Sequence, residues 1–233
     1  MRAETAYHGD MGEHFAAQAT DSAYNAHTDR AAMLRLAGDV RGRRVLDLGC
    51  GAGHYAAELL ARGAERVTGV EGSETLLAAA RTRLAGSGDG TALHHHDLEE
   101  PLSFLDDHAF DLAVLALVYH HVEARGQLLA EVRRVLRPGG TLLVSTTHPT
   151  SDWTYFGGSY FSGDRVELPF GSGVLRYRRM TLETFLGELL GAGFVLEELV
   201  EPRATEEARR VDPRRYDKTH TQPLFLAVRL HRP

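Results

Sequence analysis

The chain has one cysteine, no long apolar run and no excess of basic residues. Cys50 is the single cysteine among 233 residues, so an internal disulfide is excluded, which fits a reducing compartment. The longest apolar run covers residues 112–118, far short of the ~20 residues that span a membrane. Residues 1–7 contain no apolar signal region. These features predict a cytoplasmic protein with no membrane partner.

Basic side chains are outnumbered by acidic ones. The 26 lysines and arginines and the 32 aspartates and glutamates give a formal net charge of −6. No predicted helix or strand carries a basic stripe, and nucleic-acid binding depends on such aligned positive charge. We therefore expect a small-molecule partner and no nucleic acid. The sequence is compatible with either a monomer or a homodimer.

Apolar strands and amphipathic helices alternate through most of the chain. Strands are predicted at residues 43–48, 66–71, 91–95, 110–118 and 141–147, followed by two more at 194–200 and 223–230. Helices are predicted between them, near 54–62, 73–84, 124–136 and 181–191. This alternation predicts a parallel sheet with right-handed crossovers. Residues 202–223 are predicted to form a solvated loop of mixed charge.

Two segments stand outside this alternation. Residues 1–40 show helical patterns near 10–19 and 25–37 and are predicted to form a helical cap, whereas residues 41–233 form the main domain. Residues 148–178 contain seven of the eighteen aromatic residues, and a long connection of that composition is usually functional. We expect the cap and this insert to cover the open edge of the sheet together.

A turn with three alternating glycines follows the first predicted strand. Residues 45–53 read Val-Leu-Asp-Leu-Gly-Cys-Gly-Ala-Gly, and a helix begins near His54. Such a turn at the end of a parallel strand binds nucleotides, because glycine accepts positive φ angles and the helix presents unpaired N–H groups. The Gly-Lys-Ser/Thr triplet of a phosphate-binding loop is absent, and His54 occupies the third glycine position of a dinucleotide fingerprint. A nicotinamide oxidoreductase is therefore disfavoured.

This run, with the acid Glu71 at the end of the second strand, resembles the first two motifs of the class I S-adenosylmethionine (SAM)-dependent methyltransferases. Pro138-Gly139-Gly140 is similar to that family's helix-to-strand break. Residues 117–122, 145–149 and 201–202 resemble, more specifically, a bacterial group of small-molecule methyltransferases of the type 11 kind. The resemblance implies a Rossmann-like α/β fold, in which a seven-stranded, mostly parallel sheet has one antiparallel strand and helices on both faces.

The resemblance also implies a site for SAM, whose product is S-adenosylhomocysteine. It assigns the methionine amino end to Asp47, the ribose hydroxyls to Glu71 and the adenine to Asp97. The glycine turn packs against the adenosyl and methionyl parts, and the backbone near Leu117 lines the methionine. The implied donor-binding residues are Asp47, Gly49, Cys50, Gly51, Gly53, Glu71, Gly72, Asp97, Leu98 and Leu117.

Histidines follow two strands that end at the same edge as the glycine turn. His120 and His121 follow the fourth strand, and His148 follows the fifth. Histidine has a pKa near neutrality and is a suitable general base for a hydroxyl acceptor. Our hypothesis is that His120 or His148 contacts the acceptor, and the alternative is that each caps a strand end. Tyr24 is a further catalytic candidate. The candidates for acceptor binding are Tyr7, His14, His121, Trp153 and Tyr155.

The triple histidine at residues 94–96 has the composition of a metal site without its spacing. Alternate residues of a strand point to opposite faces, so at most His94 and His96 converge, and no cysteine or second cluster completes the site. We expect no metal. The leading prediction is methyl transfer from SAM to the O, N or C atom of a small molecule, such as a secondary metabolite. The alternatives are a tRNA or protein methyltransferase and a non-catalytic SAM-binding partner subunit.

Overall fold

The computed structural model of the chain describes residues 7–171 and 173–233. Its strands are β1 (Arg44–Leu48), β2 (Arg66–Glu71), β3 (Thr91–His95), β4 (Phe110–Ala116), β5 (Leu136–Thr147), β6 (Arg165–Phe170), β7 (Gly173–Arg178), β8 (Val195–Val200) and β9 (Phe225–His231). Within the described ranges, seven strands form one sheet in the order β3-β2-β1-β4-β5-β9-β8, and β6 and β7 form a separate hairpin.

The large sheet is parallel except at one strand. β1 pairs in parallel with β2 and β4, and β4 pairs in parallel with β5. β9 runs antiparallel between β5 and β8. β4 lies in the middle and is buried from Phe110 to Leu115, as its unbroken apolar run indicates. The predicted fold class is confirmed.

Helices lie on both faces of the sheet and at its open edge. They are α1 (Gly9–Gln18), α2 (Ala31–Ala37), α3 (His54–Ala61), α4 (Glu74–Arg83), α5 (Arg125–Val135), α6 (Pro149–Phe156), α7 (Leu182–Gly191), α8 (Glu206–Val211) and α9 (Pro213–Thr221). A π-helical turn (Asn25–Arg30) precedes α2, and a 3-10 turn (Tyr119–His121) follows β4. The side chains of Ser73 and Thr181 cap α4 and α7, as the sequence indicates, by accepting from backbone N–H groups at 3.2 and 3.0 Å.

Apolar side chains fill both faces of the sheet. On one face, Leu128 of α5 and Phe185 of α7 pack in one cluster with Leu142 of β5. On the other, Met33 of α2 and Leu59 of α3 pack in a second cluster that includes β1 and β4 residues. In the part of the chain that the structure describes, no helix is both long enough and apolar enough to cross a membrane.

The prediction of a loop at residues 202–223 is wrong, because this segment forms α8 and α9. Asp212 caps α9 by accepting from the Arg215 N–H at 3.0 Å, and Pro213 occupies the first turn. Ala208 and Tyr216 pack against Ala23 of the N-terminal segment, residues 7–40. The composition did not indicate these helices, because their apolar face is narrow and packs on Ala23, which is far away in the sequence.

Three further boundaries differ from the prediction. The insert at residues 148–178 contains α6 and the β6-β7 hairpin, neither of which the sequence predicted. β4 ends at Ala116, and Leu117 takes a left-handed conformation with φ of 57°. β5 begins directly after α5 at Leu136, and the Gly139 N–H donates to the carbonyl of Arg232 at 2.7 Å. Pro138-Gly139-Gly140 therefore lies inside β5, and the helix ends before it, at Val135.

Candidate active site

A cavity of about 500 Å³ lies at the carboxyl ends of the parallel strands. The glycine turn after β1 and the ends of β2 and β4 form its floor, and the N-terminal segment and the β6-β7 hairpin form its roof. This edge is where open parallel sheets bind ligands. The predicted site residues that line it are Tyr7, Tyr24, Gly49, Cys50, Gly51, Glu71, Gly72, Asp97, Leu98, Leu117, His120 and His121.

The three glycines of the turn meet different surroundings. A Cβ on Gly49 would lie 2.3 Å from Val118 Cγ2, and one on Gly53 would lie 3.2 Å from Ala80 Cβ. A Cβ on Gly51 would have only Phe15, at 3.9 Å, within reach. All three have positive φ angles, from 55° to 77°. Gly49 and Gly53 therefore allow close packing, and Gly51 leaves open space on the side of the cavity. Gly53 itself does not line the cavity.

Glu71 is held rigidly at the cavity wall. Its two carboxylate oxygens accept from the N–H groups of Gly51 and Ser73, each at 2.8 Å. The side chain is buried, and this burial raises its pKa despite the two backbone hydrogen bonds. A carboxylate accepts only, so its remaining lone pairs suit a ligand that donates, such as a diol.

Asp47 lies at the end of β1 and does not line the cavity. It is 1% exposed, and its Oδ2 has no hydrogen-bond partner. Burial, assisted by the charge of Glu71, raises its pKa to about 7. A buried carboxylate oxygen without a donor is costly unless a bound cation or water satisfies it. Asp47 therefore fits a role toward an ammonium group, directly or through water.

The opposite side of the cavity is formed by Asp97, Leu98 and Leu117. Asp97 Oδ1 accepts from the Glu99 N–H at 3.0 Å, which fixes the turn after β3. The Leu117 N–H donates to both the carbonyl and the hydroxyl oxygen of Ser145, each at 3.1 Å. This bifurcated bond holds Leu117 in its positive-φ conformation, a strained geometry that is concentrated at functional sites.

His120 and His121 lie side by side after β4, with ring centroids 4.2 Å apart. The Nδ1 of His120 lies 3.1 Å from Thr146 Oγ1, and its ring packs edge-on to Tyr177 at 5.1 Å. The Nδ1 of His121 is buried without a partner. Burial lowers the pKa of His120 well below its ordinary value and that of His121 to about 4. Both imidazoles are therefore neutral at pH 7.

Aromatic side chains from two distant segments meet over the cavity. Phe170 of β6 lies 6.1 Å from the rings of both Tyr7 and Phe15. Tyr7 also packs edge-on against His121 at 5.9 Å. Burial, together with the charge of Glu71, raises the pKa of the Tyr7 hydroxyl, so it stays neutral. The hairpin and the N-terminal segment thus meet in an aromatic cluster over the cavity, although Arg30 and Arg176 also line it.

Tyr24 lines the cavity next to Phe225, the first residue of β9. Its ring packs edge-on against Phe225 at 5.9 Å, and the guanidinium of Arg215 lies 5.0 Å from its centroid. Arg215 also lines the cavity. The interpretation of this arginine as part of a solvated loop is therefore corrected, because α9 brings it back to the site.

His148 does not line the cavity. Its Nδ1 accepts from the Thr150 N–H at 3.1 Å and caps α6, and its Nε2 lies 3.2 Å from Glu201 Oε1. Both ring nitrogens are thus engaged within the protein. His148 therefore caps a helix, as the alternative predicted, and its ring does not face the cavity.

Three other acceptor candidates also lie outside the cavity. Trp153 donates from Nε1 to the Gly158 carbonyl at 3.0 Å, and Tyr155 is 63% exposed. His14 packs against Phe170 at 5.5 Å, on the outside of the roof. These side chains support the helix and hairpin of the insert or join it to α1. This corrects the expectation that they face the acceptor.

Tyr55 and Asp29 are among the cavity residues that the sequence did not predict. Both line the cavity, and the Tyr55 hydroxyl donates to Asp29 Oδ2 at 2.7 Å. Tyr55 is the second residue after the glycine turn, so its place next to that turn could have indicated it. Asp29 follows the polar stretch at residues 24–28, but only the fold brings it to the cavity.

Two of the three consecutive histidines at residues 94–96 pack on an aromatic ring. The rings of His94 and His96 each lie 4.8 Å from Phe104, on one face of the edge strand. Among residues 7–171 and 173–233, no group of three histidine, cysteine or acidic side chains is placed to hold a metal ion.

Comparisons with known proteins point to one family. Residues 46–144 match a family model described as a methyltransferase domain. The ubiquinone biosynthesis O-methyltransferase of Aromatoleum aromaticum is 34% identical over 166 residues, which are 66% of this chain and 68% of that protein. The tRNA U34 carboxymethyltransferase of Cellvibrio japonicus is 31% identical over 201 residues, 80% of this chain and 56% of that protein.

A solved structure is similar over nearly the whole chain. The S-adenosylmethionine-dependent methyltransferase of Mesorhizobium loti superposes with a TM-score of 0.72 at 27% identity, and the match covers 92% of this chain and 100% of that one. The residues present fit SAM, because Gly51 leaves open space, Glu71 offers acceptor lone pairs and Asp47 has an orphaned oxygen. From its sequence, its fold and this match, the chain belongs to the class I SAM-dependent methyltransferases.

Proposed function

We propose that the chain methylates a small molecule that binds between the histidine pair and the β6-β7 hairpin. The observation that carries this proposal is the mostly apolar part of the cavity next to His120 and His121. The side chains that line it are Tyr24 of the N-terminal segment, Leu168, Phe170, Leu175 and Tyr177 of the hairpin, and Phe225 of β9. Aromatic and aliphatic walls of this kind suit a compact, flat acceptor.

SAM supplies a methyl group on a positively charged sulfur, already activated for transfer. The protein's main task is to hold the acceptor in line with that methyl group. We propose that Glu71 binds the ribose, Asp97 and Leu98 the adenine, and Asp47 and Leu117 the methionine end. The aromatic side chains of the roof favour the sulfonium charge through the faces of their rings.

We propose that His120 is the general base for an acceptor that must lose a proton. The Thr146 hydroxyl fixes its Nδ1, which leaves Nε2 as the nitrogen that receives the proton of a hydroxyl or phenol. Its lowered pKa keeps the imidazole neutral and makes it a weaker proton acceptor than an exposed histidine. His121, with an unpartnered Nδ1, is placed to hydrogen-bond to the same acceptor.

The test is an acceptor screen followed by a matched pair of histidine variants. Phenols, amines and carboxylic acids are incubated with the protein and SAM, and mass spectrometry detects the methylated product. With the acceptor found, His120→Gln should reduce turnover by about 100-fold or more, with S-adenosylhomocysteine affinity unchanged. His148→Gln, whose ring does not line the cavity, is the control and should retain turnover. Full activity of the His120→Gln variant would refute the base assignment.

A second candidate is transfer to tRNA, which the similarity to a tRNA-modifying relative favours. The net charge of −6 argues against it. The same mass-spectrometric assay with total tRNA decides between the two, because a methylated nucleoside without any methylated small molecule would replace the first proposal. Binding of S-adenosylhomocysteine without transfer to either would indicate a non-catalytic partner subunit.

A further inference from the structure

The N-terminal segment contributes a buried acid to the donor end of the cavity. Asp29 lies in the π-helical turn between α1 and α2 and is 1% exposed. Its Oδ2 accepts from the Tyr55 hydroxyl at 2.7 Å, whereas its Oδ1 has no hydrogen-bond partner. Asp29 is therefore a cavity-lining carboxylate with one free oxygen, and a buried polar atom of this kind calls for a ligand.

The neighbours of Asp29 show which end of the cavity it faces. The Ser145 hydroxyl is near enough to lower the pKa of Asp29, although it makes no hydrogen bond of ordinary geometry to Oδ1. Ser145 also accepts the N–H of Leu117, at the end of the site implied for the methionine. The Tyr55 hydroxyl lies within electrostatic range of Asp47 as well as Asp29. Asp29 therefore lies on the side of the cavity near Ser145 and Leu117, with its Oδ1 unpartnered.

The adjacent cation does not neutralise Asp29. Arg30 donates from its guanidinium to the carbonyls of Ala19 and Thr20, at 2.9 and 3.3 Å, and so fastens the π-helical turn to the end of α1. Burial dominates over Arg30, Tyr55 and Ser145 and raises the pKa of Asp29 to about 6. A carboxyl group in this state is stabilised by an incoming cation that hydrogen-bonds to it.

We propose that Asp29 is an acidic ligand for the α-ammonium group of the methyl donor, in addition to the role proposed for Asp47. The ammonium has three N–H donors, and Asp29 Oδ1 and Asp47 Oδ2 are two acceptors without protein partners. By this contact, donor binding fastens the N-terminal segment, which lies outside the matched family domain at residues 46–144. The inference depends on the donor of the family and not on the identity of the acceptor.

The test compares ligands with and without the amino-acid end by calorimetry. S-Adenosylhomocysteine carries the ammonium, and 5′-methylthioadenosine lacks it. Asp29→Asn should weaken binding of S-adenosylhomocysteine by about 10- to 100-fold, the loss of a charge-assisted hydrogen bond, and leave methylthioadenosine binding within about two-fold. Asp21→Asn, an exposed acid of the same segment, is the control and should change neither affinity.

A second measurement follows the protons released on binding. Carboxyl groups that are partly protonated near pH 6 must release protons when an ammonium binds to them. Because Asp47 is also such a group, calorimetry at pH 6, in buffers of different ionisation enthalpy, compares the wild type with Asp29→Asn. The extra proton release with S-adenosylhomocysteine over methylthioadenosine should be larger in the wild type than in the variant. Equal extra release in the two proteins, or an equal loss of affinity for both ligands in Asp29→Asn, would show that Asp29 only supports the fold and would overturn the proposal.

Discussion

Alanine substitutions in the glycine turn should separate its packing role from its ligand-binding role. In Gly49→Ala the new methyl group meets Val118 Cγ2 at 2.3 Å, and the residue keeps a φ of 69°. The left-handed conformation costs about 1–2 kcal/mol, and overpacking adds about 1–3 kcal/mol. We therefore expect Gly49→Ala to lower the free energy of unfolding by about 2–5 kcal/mol.

Gly51→Ala is the matched comparison. Its φ is 55°, but the nearest atom to the new methyl group lies 3.9 Å away. Only the conformational cost of about 1–2 kcal/mol applies to the free protein. The methyl group occupies the space where we propose that the donor binds, so S-adenosylhomocysteine should bind about 10-fold or more weakly. Gly51→Ala should thus lose more binding than stability.

Urea denaturation followed by circular dichroism gives both unfolding free energies, and calorimetry gives both affinities. The reasoning depends on the difference between the two variants. It would be refuted if Gly51→Ala were destabilised as much as Gly49→Ala, or if Gly51→Ala bound S-adenosylhomocysteine like the wild type.

Three further predictions concern single polar side chains. The folded chain raises the pKa of Asp47 from 3.8 to about 7, so its contribution to stability is complete below pH 4 and is lost as the pH rises to 7. Asp47→Asn should therefore be more stable than the wild type at pH 8, by about 1–3 kcal/mol, and not at pH 4. A constant difference in urea unfolding would contradict this. His148→Ala should lose about 0.5–2 kcal/mol as a helix cap without changing S-adenosylhomocysteine affinity; calorimetry showing weaker binding would place it in the site after all. Asp152→Ala removes the acceptor of the Tyr177 and Thr147 hydroxyls, at 3.0 Å each, and should cost about 1–3 kcal/mol in urea unfolding; no change would mean that the two hydroxyls find other partners.

The sequence predicted the sheet well because central strands have a strong local signature. β2 and β3 begin and end at the predicted residues, since each is a short run bounded by turn residues. The residues after 202 were mispredicted because α8 and α9 are short, and polar helices of this length depend on tertiary contacts such as Tyr216 with Ala23. The β6-β7 hairpin in the aromatic insert was missed for a similar reason, because it packs on the cavity and not on a local partner.

The two ends of the site differed in how far they could be predicted. The residues that we propose to bind the donor could be predicted from one turn and one acid, which are close together in the sequence. Those of the acceptor end could not, because strand-end position alone cannot distinguish His120 from His148. His120 lies within a 3-10 turn beside the cavity, whereas His148 is the N-cap of α6, whose first turn uses the ring as a cap. Asp29 could be found only from the folded chain, since its partner Tyr55 comes from α3.

The contact of Phe170 with Tyr7 and Phe15 joins the insert to the N-terminal segment at the roof of the cavity. If the acceptor and the donor bind as we propose, both lie beneath that contact, and separation of these rings widens the way out for the methylated product and the spent donor. A single opening motion then governs both departures. We expect the speed of that motion, and not the methyl-transfer step, to limit the number of turnovers per second, as happens in many enzymes with mobile covers.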